Sequence, residues 1–218
     1  MPHATTPSID ALTFIHADDQ LLVVCKPAGL LSVRGRGPDK QNCAAGQVQL
    51  TYDDALVVHR LDMATSGLML FARGAETQRQ LSMAFEKRAV SKRYVAVVDG
   101  VVTCDSGEID LPLLTDWPNR PLQKVDFELG KPSLTRYNVL SRDLAHNKSR
   151  LSLEPVTGRS HQLRIHLREL GHPIWGDALY APAPVLALSP RLLLHATSLS
   201  FCHPASNAAL RFTSDAPF

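Results

Sequence analysis

The chain has 218 residues, 44% of them hydrophobic, and 23 lysines and arginines against 21 acidic residues give a formal net charge of +2. This length and composition fit one large globular domain with its own core. The sequence has no apolar run of 18 or more residues, and its first residues lack the basic start and apolar stretch of a secretory signal. We therefore expect a cytoplasmic protein without a helical membrane span.

The cysteines and histidines do not form a metal-binding pattern. Cys25, Cys43, Cys104 and Cys202 are scattered, with no C-x-x-C pair among them. His161 and His166 are five residues apart and lack the glutamate partner found in zinc hydrolases of the H-E-x-x-H type. We expect neither a disulfide nor a bound metal.

The first third of the chain alternates short apolar runs with turn signals. Residues 12–15 and 21–25 predict two strands separated by an Asp18-Asp19 turn. Residues 34–47, rich in glycine, proline and polar side chains, predict a long surface loop. The continuous apolar run 67–73 predicts a buried strand, and the spacing of apolar residues after Gly74 predicts a helix over 75–87.

The rest of the chain is predicted to be mostly strands, at residues 93–99, 108–111, 134–140, 150–153, 192–201 and 209–212. A helix is predicted from Ser160, as its N-cap, to Leu170, with Gly171 as the stop. On that helix His161, Arg164 and Arg168 share one face, while three leucines lie on another. Because strands occur in runs, we expect an α+β fold with a largely antiparallel mixed sheet flanked by helices and loops. We place this single domain at residues 12–218, after a flexible segment at 1–11.

The motif His59-Arg60-Leu61-Asp62-Met63-Ala64-Thr65-Ser66-Gly67 places a carboxylate beside a basic residue and a hydroxyl-rich turn, just before the buried strand. In a purely structural role, Asp62 would hydrogen-bond the amides of its own turn. In a functional role, it would be an ionised oxygen at the edge of the core.

Basic residues are grouped in three places despite the small net charge. The groups are residues 87–93; Lys148, Arg150, Arg159, Arg164 and Arg168; and Arg34, Arg36 and Lys40. Each group alone is typical of a solvated face. Three groups flanking one candidate site fit a polyanion that lies across it.

Several ordered segments resemble one known family, the RluA family of RNA pseudouridine synthases, and the resemblance begins at about Leu12. The segments are HRLDMATSG at 59–67, SKRYVAV at 91–97, LPL at 111–113, PVTGRSHQLRIH at 155–166, GHPIWGD at 171–177 and LLLHA at 192–196. The resemblance implies the pseudouridine synthase catalytic fold and an isomerase that needs no metal, nucleotide or redox cofactor. It also implies that the S4 RNA-binding domain of many relatives is absent, because the first predicted strand begins near Leu12.

The resemblance assigns roles to four residues. Asp62 corresponds to the family's nucleophile, which acts either by attack at C1′ or through a glycal route. Arg164 corresponds to the cation that keeps this carboxylate ionised. Tyr94 would pack on the extruded uracil, with a hydroxyl suited to removing the C5 proton, and Arg60 would fill the gap left by the flipped nucleotide.

The segment 113–125 resembles the short family members that modify both 23S rRNA and the tRNA anticodon stem-loop. We therefore expect RNA stem-loops as partners, roles in rRNA and tRNA processing, and a monomeric protein. The remaining predicted RNA-binding residues are His59, Thr65, Lys92, Arg120 and Arg159.

Alternative functions remain open at this point. The protein could be a synthase of the same family that acts on only one of these RNAs, or a non-catalytic RNA-binding module. An Asp-nucleophile hydrolase is a further alternative. A phosphatase of that type needs a second carboxylate two residues after the nucleophile, where this chain has Ala64, and a glycosidase needs paired carboxylates.

Overall fold

The computed structural model describes residues 12–218, so the predicted flexible segment 1–11 lies outside the described residues. The strands are β1 Thr13–Ala17, β2 Leu21–Lys26, β3 Ala55–Val57, β4 Ser66–Arg73, β5 Ser91–Asp99, β6 Ser106–Asp110, β7 Leu113–Thr115, β8 Gln123–Val125, β9 Leu134–Asp143, β10 Lys148–Pro155, β11 Leu194–Cys202 and β12 Ala209–Thr213. The helices are α1 Ala44–Gln49, α2 Ala75–Glu86, α3 Gln162–Glu169 and α4 Ala183–Leu186, with a 3-10 turn at Pro38–Lys40.

Ten strands form one sheet, in the order β1-β2-β4-β11-β5-β10-β9-β6, with β3 added to β4 and β12 added to β11. Neighbouring strands run antiparallel except for β4 and β11, which are parallel. Strands β7 and β8 form a separate antiparallel hairpin over Leu113–Val125. The predicted α+β class with a largely antiparallel mixed sheet is confirmed.

Strand β4 is apolar from Gly67 to Ala72 because both of its faces are covered. Leu68, Leu70 and Ala72 pack with Leu81 of α2. Met69 and Phe71 point the other way, toward the cluster that includes α1. A strand between two packed layers shows no alternation of apolar and polar residues, which is why its sequence is a continuous apolar run.

Helix α3 lies on the other half of the sheet. Leu163 and Leu167 are buried with residues of β5 and β10, and Leu170 is partly buried against the same cluster. The predicted leucine face therefore holds the helix to the core, as expected. The opposite face, with Arg164, is turned toward the Asp62 loop.

The structure corrects the prediction of one long loop at residues 34–47. Ala44 begins helix α1, whose N-cap Cys43 accepts a hydrogen bond from the Gly46 amide through Sγ at 3.3 Å. Cys43, Ala44 and Ala45 are buried in the core. Packing of these small apolar residues outweighs a local composition that favours a loop.

Ser160 is not the cap of α3. The N-cap is His161, in the left-handed conformation at φ 55°. No side chain caps the first turn, and Gln162 Oε1 accepts from two groups that precede the helix, the Arg159 amide at 3.0 Å and Thr157 Oγ1 at 2.7 Å. Its amide nitrogen donates to Leu134 O and to Thr135 Oγ1, which joins the helix start to β9.

A buried polar group joins the two parallel strands. Arg191 donates to Ser66 Oγ at 2.5 Å, and Ser66 Oγ lies 2.8 Å from His195 Nδ1. His195 Nε2 lies 3.2 Å from Ser214 Oγ. The ring of His195 is therefore hydrogen-bonded at both nitrogens between β4 and the segment after β12.

No helix in the described part of the chain is long and apolar enough to cross a membrane.

The close approach of β4 and β11 depends on Gly67. A Cβ at this position, where φ is +114°, would lie 2.3 Å from Ala196 O. At Gly74, where φ is +75°, a Cβ would meet nothing within 4 Å. We expect Gly67→Ala to cost about 3 kcal/mol or more of unfolding free energy, and Gly74→Ala about 1 kcal/mol from backbone strain alone. Urea denaturation of both variants measures the difference, and equal costs would contradict this account of the strand junction.

Burial, together with the charge of Arg191, lowers the pKa of His195 to about 4. The unfolded chain, with a histidine pKa near 6.5, then binds a proton at a higher pH than the folded protein does. The stabilising effect of neutral His195 is therefore present above pH 6.5 and is lost as the pH falls toward 4. Urea denaturation at pH 7.5 and 5.0 gives the free energy of unfolding at each pH. Between these values we expect it to fall by roughly 1 kcal/mol less in His195→Gln than in the wild type. The same pH slope in His195→Gln and in the wild type would contradict the prediction.

Candidate active site

The loop that carries Asp62 is held by hydrogen bonds on both sides of the carboxylate. Ser32 Oγ donates to Leu61 O at 2.6 Å and lies 3.0 Å from the Leu61 amide, which donates to it. The Gly29 amide donates to Met63 O at 2.8 Å, and the Thr65 amide donates to Asp62 O at 3.1 Å. The backbone on either side of Asp62 is thus fixed, and its side chain lies at the surface of a groove.

Lys26 binds the same loop from its buried side. Its ammonium group is buried and donates to Leu30 O at 2.7 Å, Pro27 O at 2.9 Å and Met63 O at 3.1 Å. Burial lowers the pKa of Lys26 to about 7, against the opposing effect of the charge on Asp62. The ammonium connects the end of β2 with the Asp62 loop.

Arg164 is the cation beside Asp62. Its Nη1 lies 3.6 Å from Asp62 Oδ2. The rest of its guanidinium binds Asp177, with Nε donating to Oδ2 at 2.8 Å and Nη2 donating to Oδ1 at 2.5 Å. Burial alone would lower the pKa of Arg164, but hydrogen bonds and charge from Asp177 and the charge of Asp62 raise it. The predicted neighbour of Asp62 is therefore in place, and it is held there by a second carboxylate.

His161 lies on the other side of the carboxylate. Its Nε2 is 3.8 Å from Asp62 Oδ1, and its Nδ1 is 2.6 Å from the Tyr180 hydroxyl. Tyr180 is buried, and its hydroxyl accepts a hydrogen bond from the Gln123 amide at 3.0 Å. Burial lowers the pKa of His161, with Asp62 acting in the opposite direction.

Tyr94 lines the groove from strand β5, beside Ala196 of β11. Burial and then the charge of Asp62 raise the pKa of its hydroxyl. The aromatic ring thus forms a wall of the groove in which Asp62 lies.

Three predicted RNA-binding cations lie along the groove, which has a volume of about 670 Å³. Arg60 and Arg159 are exposed, and Lys92 is partly buried. Burial and then the charge of Arg88 lower the pKa of Lys92. Together these side chains place positive charge around the opening in which Asp62 lies.

His59 and Thr65 lie at the groove but are engaged within the protein. His59 Nε2 accepts from the Leu70 amide at 2.9 Å, and its ring stacks on Phe85 with centroids 4.6 Å apart. Burial, together with the charge of Lys92, lowers the pKa of His59 to about 3. Thr65 is 2% exposed. These contacts give both residues a structural role, and their contact with RNA stays a prediction.

Arg120 lies apart from the other predicted residues, on the turn of the β7–β8 hairpin. Its guanidinium is stacked on Trp117, 3.3 Å from the ring centroid, and both side chains are exposed. Leu122 and Val125 of the hairpin pack against Ile165 and Tyr180. The neighbouring Pro121 lines the groove, so the hairpin borders the site.

The second basic group of the sequence is not one surface. Arg159 and Arg164 belong to the groove. Lys148 and Arg150 instead line a separate cavity beside Trp175 and Phe218. Cations that the sequence groups together therefore lie on different surfaces, because strand β10 carries Lys148 and Arg150 whereas helix α3 carries Arg164.

Four residues of the site were missed as functional candidates: Lys26, His161, Asp177 and Tyr180. Asp177 stands in the GHPIWGD segment and His161 in the PVTGRSHQLRIH segment, so the matching motifs carried a signal for both. Lys26 and Tyr180 gave no such signal, because a single lysine at a strand end or a tyrosine in a loop has many structural roles.

Within residues 12–218 the structure shows no group of three or more histidine, cysteine, aspartate or glutamate side chains placed to hold a metal ion.

Residues 20–169 match the RNA pseudouridylate synthase family. A dual-specificity RNA pseudouridine synthase RluA from Pasteurella multocida (strain Pm70) is 48% identical over 214 residues, covering 98% of this chain and 97% of its own. The protein of the same name from Escherichia coli (strain K12) is 45% identical over 218 residues, covering 100% of this chain and 99% of its own.

Among solved structures, Human RNA Pseudouridylate Synthase Domain Containing 1 superposes with a TM-score of 0.80 at 26% identity, covering 99% of this chain and 87% of its own. Both the match over residues 20–169 and the identity to near full-length relatives lead to one assignment. The chain belongs to the RNA pseudouridylate synthase family, whose enzymes are isomerases.

Proposed function

We propose that this enzyme isomerises specific uridines in stem-loops of 23S rRNA and of the tRNA anticodon arm, with Asp62 as its nucleophile. The observation that carries the proposal is the position of the Asp62 carboxylate, 28% exposed at a basic groove and 3.6 Å from the buried Arg164 guanidinium. This arrangement places an accessible oxygen nucleophile beside a fixed positive charge.

In the direct route, an Asp62 oxygen bonds to C1′ as the C1′–N1 bond breaks, and the bonding electrons remain on uracil N1. The uracil turns, C5 bonds to C1′, and the carboxylate leaves. The C5 proton is then removed and N1 gains a proton, so the net reaction is an isomerisation. In the glycal route, Asp62 would instead remove the C2′ proton as the C1′–N1 bond breaks, C5 would then add to C1′ of the resulting glycal, and the proton would return to C2′. The fixed backbone around Asp62 suits either step, because both need one oxygen held close to the sugar.

Tyr94 fits best as the wall against which the flipped uracil stacks. In the free protein, burial and Asp62 disfavour the phenolate that would be needed to take the C5 proton. In the direct route the carboxylate has left C1′ before the C5 proton is removed, so both causes also act at that step. The position of Tyr94 therefore supports stacking, and removal of the C5 proton by its hydroxyl stays a prediction.

Base flipping requires the uridine to leave its stack, and the groove offers side chains for this step. Arg60 is exposed beside Asp62 and can fill the gap that the nucleotide leaves. Lys92 and Arg159 can contact the phosphates on either side. Arg120, stacked on the exposed Trp117, extends this surface over the hairpin, where an unpaired base can stack.

The dual substrate range is supported by relatives that carry dual specificity in their names and match this chain over nearly their whole lengths. A glycosidase is disfavoured by the environment of Asp177, the other carboxylate on Arg164. Asp177 is 1% exposed and binds Arg164 and the amides of Leu179 and Tyr180, so it cannot act as a second catalytic acid.

We further propose a monomeric enzyme that works in the cytoplasm. The groove is built from side chains of a single chain, which supports activity of the monomer. All four cysteines are free thiols, which fits a reducing compartment.

Replacing Asp62 with Asn keeps the shape of the side chain but removes the anionic oxygen. Arg164 stays paired with Asp177, so we expect the fold to be retained and stem-loop affinity to stay within about three-fold, while pseudouridine formation falls below detection. The exposed Asp53→Asn serves as the matched control and should retain full activity. Turnover is measured by mass spectrometry of the RNA, and normal turnover by Asp62→Asn would contradict the assignment of the nucleophile.

Protein-free stem-loops should suffice as substrates, because the groove and the hairpin recognise the shape of a loop and unstacked bases rather than a long duplex. We expect separate stem-loops from 23S rRNA and from a tRNA anticodon arm both to gain pseudouridine, and Asp62→Asn to abolish both products. Mass spectrometry of each RNA decides this. Modification of only one stem-loop would leave the enzymatic activity standing and contradict dual specificity.

A further inference from the structure

Asp62 has a second polar neighbour that the proposed chemistry does not yet use. His161 faces the carboxylate oxygen opposite the one near Arg164, and its side chain is 13% exposed. The distance of 3.8 Å from Nε2 to Asp62 Oδ1 exceeds a hydrogen bond. Contacts of this kind in unliganded enzymes often shorten when the substrate binds.

The contacts of Tyr180 determine which nitrogen of His161 carries the proton. The Tyr180 hydroxyl accepts from the Gln123 amide, so its own proton is available to donate to His161 Nδ1 at 2.6 Å. Neutral His161 then carries its proton on Nε2. The opposite tautomer would turn a lone pair toward the Asp62 carboxylate, which is unfavourable.

We infer that His161 is a positioning residue for Asp62, which Tyr180 holds in the tautomer that directs an Nε2–H donor at Asp62 Oδ1. The inference rests on the proposed function of Asp62. Burial lowers the pKa of His161, which favours the neutral form that this role requires. Arg164 on one oxygen and His161 on the other limit rotation of the carboxylate and leave the attacking lone pair aimed into the groove.

The same contacts connect the site with the β7–β8 hairpin. Gln123 begins β8, and its amide binds the hydroxyl that orients His161. The chain of contacts runs from Gln123 through Tyr180 and His161 to Asp62.

The backbone of His161 provides a sharp test, because its φ is 55°. Asparagine adopts this left-handed conformation more readily than glutamine. Only the longer glutamine places an amide N–H near the position of the imidazole Nε2, whereas asparagine reaches only the position of Nδ1. A purely structural role therefore predicts that His161→Asn is the better replacement, and a donor role predicts that His161→Gln is.

The experiment measures kcat and KM of the full chain on a stem-loop that the wild type modifies, for His161→Gln, His161→Asn, His161→Ala and Tyr180→Phe. We expect kcat to fall about 30-fold in the Ala and Asn variants with KM within about three-fold, and His161→Gln to recover to within about five-fold of the wild type. Tyr180→Phe should lower kcat less than His161→Ala. His172→Ala, which removes a histidine bound to Asp99 O, is the control and should keep wild-type kcat.

A kcat in His161→Asn equal to or above that of His161→Gln would overturn the inference, even if His161→Ala fails to fold. A wild-type kcat in His161→Ala would overturn it as well. Failure of the proposed function gives a different result, since then the wild type forms no pseudouridine or Asp62→Asn remains active.

Discussion

The site depends on the ion pairs made by the buried guanidinium of Arg164. It is shared by two carboxylates, one of which, Asp177, is 1% exposed and binds two of its nitrogens, while the other, Asp62, lies at the groove. A buried charge without a partner would be costly, so the tight pair with Asp177 is what allows Arg164 to remain inside the protein. Once held there, its remaining Nη1 provides a fixed positive charge for Asp62. The Arg164–Asp177 pair thus fixes the position of the guanidinium. The longer contact of 3.6 Å places its charge beside Asp62, the proposed nucleophile.

The Asp62 loop is preorganised by groups that take no part in the chemistry. Lys26 and Ser32 bind main-chain oxygens on either side of Asp62. The side chain of His59, three residues before Asp62, accepts a hydrogen bond from an amide of β4. These contacts use side chains to satisfy backbone groups in a segment that has no regular structure. The carboxylate can then face the groove without rearranging its loop during the reaction, which lowers the cost of reaching the transition state.

Secondary structure was predicted well from the sequence where burial is reflected in the local pattern of apolar residues. Strand β4 and helix α2 were predicted to within one residue at each end, because an apolar run and a glycine break mark them clearly. Helix α1 was missed because its stability comes from burial of Cys43, Ala44 and Ala45 against distant strands, which a local window does not contain. The N-cap of α3 was assigned wrongly for a related reason. The start of the helix is instead attached to the sheet by long-range contacts, since the Gln162 side-chain amide donates to Leu134 O and Thr135 Oγ1 of β9.

By itself the sequence determined the family, and its motifs singled out Asp62, Arg164 and Tyr94 as the residues proposed to carry the chemistry. Only the tertiary structure decided how they are held. The pairing of Arg164 with Asp177, the contact of His161 with Tyr180 and the bond from Lys26 to Met63 O join segments that are 13 to 37 residues apart. Such contacts depend on how helix, hairpin and sheet pack together, and no periodicity of the sequence encodes them. Local pattern therefore singled out the proposed reactive groups, and long-range packing set their distances and orientation.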